Sequence, residues 1–199
     1  MHPPLILAST SPFRQQLLQR LGIAFETFHP AVDEQPLTDE TAACLVERLA
    51  VSKARAAAAS HSSGLVIGSD QVCVIGEQIL GKPASHEHAV AQLRSASGQC
   101  VEFLTGLCLY NLESRRQQSC VEPYRVHFRQ LGDTQIEYYL NTEQPYDCAG
   151  SFKSEGLGIC LFEKLDGDDP NALIGLPLIR LVQMLQNEGM DVLLPDSTQ

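Results

Sequence analysis

Leu65-Val-Ile-Gly-Ser-Asp-Gln-Val-Cys-Val-Ile75 is the stretch around which the rest of the chain is arranged. Its apolar runs, 65–67 and 72–75, flank a polar break that carries Asp70. β-Branched runs bounded by small residues predict a buried strand. A carboxylate inside such a strand is costly unless a partner or a cation compensates its charge. Asp70 is therefore either a structural acid that binds nearby N–H groups or a catalytic acid, and the remaining sequence has to decide between them.

Length and charge limit the kinds of protein that this sequence can encode. A chain of 199 residues suffices for one sizeable core, so we expect a single domain over 1–199. The net charge of −10 disfavours binding to nucleic-acid polymers and to anionic membranes, although a local cationic pocket or a metal could still hold a small polyanion. Seven cysteines without C-x-x-C spacing predict reduced thiols, and the amino terminus lacks the pattern of a signal peptide or anchor. We therefore expect a cytoplasmic protein.

The amino-terminal segment predicts a strand, 5–8, that runs directly into a helix. Ser11 is a good N-cap, and Pro12 then falls at the first helical position, where its missing N–H costs nothing. The free N–H groups of such a helix, together with Ser9 and the charge of Arg14, would suit an anion. The alternative is a capped helix with a surface arginine.

Three further charged side chains are candidates for the same site. Lys53 lies beside the apolar stripe of a helix predicted from residue 38 or 39 to about residue 60, either as an edge lysine or as an amine aimed at phosphate. Lys82 projects from a Gly-Lys-Pro segment, where proline restricts the chain. Glu34 lies in a loop, where acids are usually solvated, but it could share a metal with Asp70.

The second half of the chain has a different pattern. The runs 101–110 and 121–128 predict a β-hairpin, and a long loop rich in Gly, Ser and charge follows at 143–158. Further strands are predicted at 159–165 and 192–194. Alternating strands and helices followed by a hairpin predict a mixed α/β (α+β) fold. We expect a curved mixed sheet flanked by helices and two lobes around a central cleft.

The candidate side chains share one kind of chemistry. Cations and N–H groups neutralise a polyphosphate, whereas acids hold a divalent metal and activate water. This combination favours phosphoanhydride hydrolysis over acyl transfer, for which the sequence has no G-x-S-x-G element. Walker A and G-x-G-x-x-G motifs are also absent from the sequence, which argues against P-loop and Rossmann nucleotide sites.

Seven pieces of sequence occur in a characteristic order. They are Leu-Ile-Leu-Ala-Ser-Thr-Ser-Pro-Phe-Arg14, Val-Asp-Glu34, Leu-Ala-Val-Ser-Lys53-Ala, Gly-Ser-Asp70-Gln-Val, Gly-Lys82-Pro, Ser-Gly98 with Thr-Gly106, and Ala-Gly-Ser-Phe-Lys-Ser-Glu155-Gly. Each piece is short, but their order and spacing together are specific. The chain resembles the Maf family of nucleoside triphosphate pyrophosphatases over nearly its whole length, and the resemblance implies the Maf/ITPase-like fold.

The resemblance also implies an activity and the residues that carry it. A nucleotide would be cleaved between its α- and β-phosphates, giving a monophosphate and pyrophosphate, with Mg²⁺ or Mn²⁺ as cofactor. Asp70 would be the proton acceptor and, with Glu34, would bind the metal. The remaining catalytic and phosphate-binding groups would be Lys53, Lys82, Ser9 and Arg14. The resemblance further suggests a homodimer and the clearance of modified nucleotides.

Three positions distinguish branches of the family. The branch that handles dTTP and UTP has Ser-x-Arg, Asp-Thr and Ser-Tyr-Gly-Ile-Gln patterns where this chain has Phe13, Gln71 and Glu155. The chain instead resembles the branch that hydrolyses 7-methyl-GTP. N7-methylation makes guanine cationic, so Phe13 could stack on it and Glu155 could accept hydrogen bonds from its N1–H and exocyclic amine. Gln71 would supply a further polar contact.

Two other functions stay open at this point. The chain could be a pyrophosphatase for other nucleotides, such as dTTP, UTP or CTP. It could instead be a nucleotide-binding regulator of cell division that does not turn its ligand over. The presence of Asp70 together with Glu34, Lys53 and Lys82 argues against a pure sensor, which does not need an acid that activates water.

Overall fold

The computed structural model describes residues 3–76 and 78–194, which form a mixed sheet flanked by helices. The strands are β1 (Leu5–Leu7), β2 (Glu26–Thr27), β3 (Leu65–Ile75), β4 (Gln78–Leu80), β5 (Cys100–Asn111), β6 (Gln117–Phe128) and β7 (Phe162–Asp166). The helices are α1 (Pro12–Gln19), α2 (Ala42–Ala56), α3 (His86–Ala96), α4 (Asp133–Glu143), α5 (Pro170–Ile174) and α6 (Leu178–Asn187). Short 3-10 helices occur at Ala57–Ala59, Ala149–Ser151 and Leu157–Leu161.

The sheet combines parallel and antiparallel pairs. Its strand order is β2-β1-β3-β5-β6-β7, and β4 pairs with β3 beside this path. β1 runs parallel to β2 and β3, whereas the pairs β3–β4, β3–β5, β5–β6 and β6–β7 are antiparallel. The mixed architecture and the hairpin of β5 and β6 that the sequence predicts are both confirmed.

Strand β3 changes its neighbour along one of its edges. Residues 65–67 pair with β1, and residues 73–75 pair with β4. The segment between them, which contains Asp70, pairs with β5 on its other edge but with no strand of the described chain on this one. The polar break therefore does not end the strand, because it lies where the sheet opens between β1 and β4.

Helix α2 lies unusually close to the middle of the sheet, against two glycines on neighbouring strands. A Cβ atom added to Gly68 would lie 2.1 Å from the carbonyl oxygen of Ala50, and one added to Gly106 would lie 2.2 Å from that of Val46. No side chain fits at these distances, so only glycine permits this backbone-to-backbone approach. The approach brings the carboxy-terminal half of α2 directly over the centre of β3.

Of three buried apolar clusters, one packs α2 against β1, β3 and β5, and the other two lie on either side of that centre and form two lobes. One core packs β1, α1 and α6 against the first residues of β3 and the last of β5, around Ile67 and Leu107. The other packs α3 and α4 against the opposite ends of β5 and β6, around Phe103 and Val126. The polar centre of β3 lies between these cores, as expected for a two-lobed molecule with a central cleft. Within the described residues, no helix is long and apolar enough to cross a membrane.

The predicted start of α2 is wrong. The helix begins at Ala42, and the side chain of Thr41 caps it by accepting a hydrogen bond from the N–H of Cys44 at 3.2 Å. Asp39 cannot belong to the helix, because its backbone adopts a left-handed φ of 60°. The cap predicted for the first helix is confirmed, since Ser11 accepts from the N–H of Arg14 at 3.4 Å.

Two predictions near the carboxy terminus also need correction. The strand predicted at 159–165 starts later, because Leu157–Leu161 forms a 3-10 helix. Residues 192–194 form a turn and not a strand, because the side chain of Asp191 accepts a hydrogen bond from the N–H of Leu193 at 3.0 Å. Such local bonds from aspartate favour turns over sheet pairing.

Candidate active site

The opening between β1 and β4 contains a buried lysine held between two carboxylates. The Nζ atom of Lys53 lies 2.6 Å from Oδ1 of Asp70 and 2.7 Å from Oε1 of Glu34. Lys53 is only 7% exposed and Asp70 only 9%, whereas most of the Glu34 side chain is exposed. One ammonium group thus compensates two acids and offsets the desolvation cost of burying the Asp70 carboxylate in the strand.

Three cations converge on Glu34. Its pKa is lowered, chiefly by the hydrogen bond from Lys53 and further by the charges of Lys53, Arg14 and Lys82, against the opposing effect of partial burial. The three cations therefore lie near enough to stabilise the charge of one carboxylate. The site therefore has more positive than negative groups, although the chain as a whole is strongly acidic. This local excess of positive charge suits a polyanionic ligand.

Arg14 is fixed by the end of a distant helix. Its Nε–H donates to the carbonyl oxygen of Gly175 at 2.8 Å, which leaves the terminal N–H groups available to a ligand. Burial lowers the pKa of Arg14, while the charges of Asp70 and Glu34 raise it. The guanidinium remains charged, since arginine does not lose its proton in proteins. A half-buried cation of this kind gains most when an anion binds beside it.

The turn before α1 contributes hydroxyl groups. Ser9 is buried, and its Oγ accepts a hydrogen bond from the N–H of Ser11 at 3.1 Å. Its own O–H can therefore still donate to a ligand. Because the side chain of Ser11 also caps the N–H of Arg14, two N–H groups of the predicted anion site are already occupied in the protein. Anion binding at this turn would depend more on hydroxyls and on Arg14 than the sequence suggests.

Two adjoining pockets open along this part of the molecule. The polar pocket, with a volume of about 400 Å³, is lined by Ser9, Arg14, Glu34, Lys53, Asp70 and Lys82. The aromatic pocket, with a volume of about 160 Å³, is lined by Phe13, Gln71, Phe103, Asp147, Phe152 and Glu155. Ser11, Arg14, Gln71 and Lys82 line both pockets. All nine residues that the sequence singles out thus line one or both of two connected cavities, while their roles remain predictions.

The aromatic pocket has an apolar wall and an acidic rim. Phe103 and Phe152 meet edge to face with their ring centroids 5.3 Å apart. The half-buried ring of Phe13 contributes a further aromatic surface, and the side chains of Glu155 and Asp147 supply two carboxylates. Asp147 and Phe103 are not among the predicted site residues, because their positions in the predicted loop 143–158 and strand 101–110 do not show which side chains face a pocket.

The side chain and the carbonyl group of Glu143 hold the predicted long loop by hydrogen bonds. The side chain of Glu143 accepts the N–H of Leu157 at 2.8 Å, and its carbonyl accepts from Nζ of Lys153 at 3.2 Å. The N–H of Lys153 in turn donates to the hydroxyl of Tyr139 at 3.0 Å. These bonds hold the segment that presents Glu155 to the aromatic pocket.

The two carboxylates of the polar pocket fit a metal that arrives with its substrate. The described residues contain no group of three or more His, Cys, Asp or Glu side chains that could hold an ion alone. Mg²⁺ is usually held by one or two carboxylates plus phosphate oxygens and water, and Asp70 and Glu34 supply such a pair. Because both acids contact the same ammonium group, a metal that takes them has to share them with Lys53 or displace it.

Comparison with solved structures supports the fold. The chain is similar to the structure of the Staphylococcus aureus Ham1 protein, with a TM-score of 0.51, 14% sequence identity, and coverage of 94% of this chain and 100% of that one. At this level of identity the similarity concerns the fold alone. The mixed sheet flanked by helices therefore has the Ham1 or ITPase-like fold.

Sequence comparison shows the family. Residues 4–188 match the family model described as Maf-like protein, and the chain belongs to that family. A protein named 7-methyl-GTP pyrophosphatase from Pseudoalteromonas translucida is 62% identical over 97% of this chain and 96% of its own length. Proteins with the same name from Nitrosococcus oceani and Vibrio vulnificus are 58% and 57% identical, over 96% and 95% of this chain and 96% and 97% of their own lengths.

Proposed function

We propose that this chain is a phosphoanhydride hydrolase that cleaves 7-methyl-GTP to 7-methyl-GMP and pyrophosphate. The observation that carries the proposal is the pair of adjoining pockets that share Arg14 and Lys82. One pocket is rich in cations and suits a triphosphate, whereas the other combines aromatic rings with carboxylates and suits a cationic base. The relatives named 7-methyl-GTP pyrophosphatase support the same substrate.

Asp70 would act as the general base. It lies at the opening of the sheet, and Lys53 holds its carboxylate in place at 2.6 Å. It would take a proton from a water molecule whose oxygen then bonds to the α-phosphorus, while the bond from that phosphorus to the bridging oxygen breaks. A divalent metal held by Asp70, Glu34 and the phosphates would add charge neutralisation and make the water more acidic.

The cations of the polar pocket would stabilise the departing pyrophosphate. Lys82 is exposed and lines both pockets, so it can reach phosphate oxygens near the junction. Arg14 would contribute its terminal N–H groups, which its bond to Gly175 leaves available. Fixed cations aimed at charge that develops on the leaving group lower the barrier without reorganising during the reaction.

The aromatic pocket would select the base. Phe13 would stack on the methylated guanine, and Glu155 would accept from its Watson–Crick edge. The carboxylates of Glu155 and Asp147 would also favour a cationic base over a neutral one by simple attraction. A neutral pyrimidine would leave those acids without compensation, so dTTP, UTP and CTP would be weaker substrates.

The products and the metal requirement test the reaction. We expect 7-methyl-GTP to give one pyrophosphate per 7-methyl-GMP in the presence of Mg²⁺ or Mn²⁺, and excess chelator to abolish turnover. Chromatography of the nucleotides together with a pyrophosphate-specific assay measures both products. Release of orthophosphate with 7-methyl-GDP, or full activity in chelator, would contradict the proposal. Binding of 7-methyl-GTP without turnover under any condition would favour the regulator.

A further inference from the structure

The amide group of Gln71 is held by three acceptors on the side facing α5. Its Nε2 lies 2.9 Å from Oγ1 of Thr105, 2.8 Å from the carbonyl oxygen of Ala172 and 3.1 Å from that of Leu173. Both N–H groups of the amide therefore donate to atoms of the protein itself. Thr105 stands directly opposite Gln71 on the neighbouring strand β5, which makes this a cross-strand pair.

The direction of each hydrogen bond in this cluster is fixed. The fully buried hydroxyl of Thr105 donates to the carbonyl of Ala172 at 2.9 Å, so it can only accept from Gln71. The carbonyl oxygens of Ala172 and Leu173 can only accept as well. A rotated amide would place its oxygen against the carbonyl oxygens of Ala172 and Leu173, which cannot donate, so the hydrogen-bond network assigns Nε2 to this side.

The opposite end of the amide faces the cavity. Gln71 lines both pockets, and within the described residues its Oε1 has no protein partner and is not among the buried unpaired atoms. Gln71 therefore offers a ligand a hydrogen-bond acceptor and no donor. An acceptor at this place selects a base that presents an N–H group, as guanine does at N1 and N2.

We infer that Thr105 is a positioning residue that, with the carbonyls of Ala172 and Leu173, presents Gln71 to the aromatic pocket as an acceptor for an N–H group of the base. The inference rests on the proposed function, because it assigns the aromatic pocket to the base. It adds a role for a buried residue that touches neither phosphate nor base. If Thr105 only stabilised the fold, its loss would leave binding of the base unchanged. A measurement of base binding therefore separates a positioning role from a purely structural one.

A double-mutant cycle tests the inference through binding, independently of turnover. Thr105→Val keeps the shape of the side chain but removes its hydroxyl, whereas Thr105→Ser keeps the hydroxyl. We expect Thr105→Val to weaken binding of 7-methyl-GMP about three- to tenfold, the scale of one hydrogen bond, and Thr105→Ser to bind within about twofold of the unmodified protein. In a Gln71→Leu background, Thr105→Val should have no further effect, because the group that it positions is gone.

Calorimetric titration with 7-methyl-GMP of the unmodified protein, the three single variants and the double variant gives the result, and thermal unfolding shows that each variant is folded. In turnover assays Thr105→Val should raise KM while kcat stays nearly constant. Equal binding by Thr105→Val and the unmodified protein would overturn the inference, and so would an equal loss in both backgrounds. If pyrophosphate release fails but the binding cycle is non-additive, the proposed function falls and the positioning role stands.

Discussion

Replacing Asp70 with asparagine is expected to lower the rate of pyrophosphate release by about 1,000-fold, within the usual range for loss of a general base. The substitution removes the charge and the basicity but keeps the size of the side chain. The amide oxygen can still accept from Lys53, so the pocket should keep its shape. Binding of 7-methyl-GMP should change little, because the base pocket is untouched. Steady-state kinetics together with equilibrium binding measures both effects.

A matched control for this variant lies on the surface. Asp166 also pairs with a lysine, Lys164, at 2.9 Å, but both side chains are largely exposed and line neither pocket. Asp166→Asn should therefore keep full activity, since an exposed pair contributes little. An Asp70→Asn protein that retains more than about a tenth of the unmodified rate would remove Asp70 from the role of base, because such a role supplies at least ~100-fold.

Replacing Lys53 with methionine is expected to damage both activity and stability. The buried ammonium compensates two carboxylates, so its removal deprives Asp70 of its directly bonded counter-charge inside the sheet. Loss of one partner of a buried pair costs about 3 kcal/mol or more in the free energy of unfolding. Loss of a fixed cation beside the reacting phosphate should lower kcat by about 100-fold or more. Chemical unfolding and steady-state kinetics measure the two losses separately.

The pH dependence of stability gives this variant a distinctive signature. The pKa of Glu34 is lowered mainly by Lys53, so the stability gained from this pair is present at neutral pH and is lost as the pH falls through the pKa of Glu34 in the folded protein. The gap in stability between Lys53→Met and the unmodified protein should therefore narrow in acid. Lys164→Met, which breaks the exposed pair with Asp166, should cost at most about 1 kcal/mol. Equal losses from the two substitutions would contradict the account.

Local patterns predicted much of the fold. The Ser11-Pro12 start of α1 follows from capping chemistry, and the hairpin follows from two β-rich runs around a polar tip. The predicted start of α2 is too early because Thr38, Asp39 and Thr41 are all plausible caps, whereas in the structure 37–40 forms a turn whose Glu40 side chain is bound by Arg48. Local chemistry alone cannot make that choice, since each of these side chains can accept the same hydrogen bond.

The arrangement of the candidate site was less accessible from the sequence. Glu34 and Asp70 were predicted to share a metal, but the structure also places Lys53 between them. The bonds from Gln71 and Thr105 to α5 span about a third to a half of the chain, and no periodicity or spacing reports contacts of that range. Gln71 was predicted to make a polar contact, and only the long-range contacts reveal that it offers an acceptor alone.

The central claim is that the aromatic pocket binds a cationic guanine selectively. Competition among nucleotides tests this claim most directly. A mixture of 7-methyl-GTP, GTP, dTTP, UTP and CTP with Mg²⁺ would be followed by chromatography, which gives relative kcat/KM values. We predict that 7-methyl-GTP is consumed about tenfold or more ahead of GTP, on the scale of a desolvated cation–π contact, and that Glu155→Gln narrows this lead. Consumption led by dTTP or UTP would keep the reaction but contradict the roles of Phe13, Gln71 and Glu155.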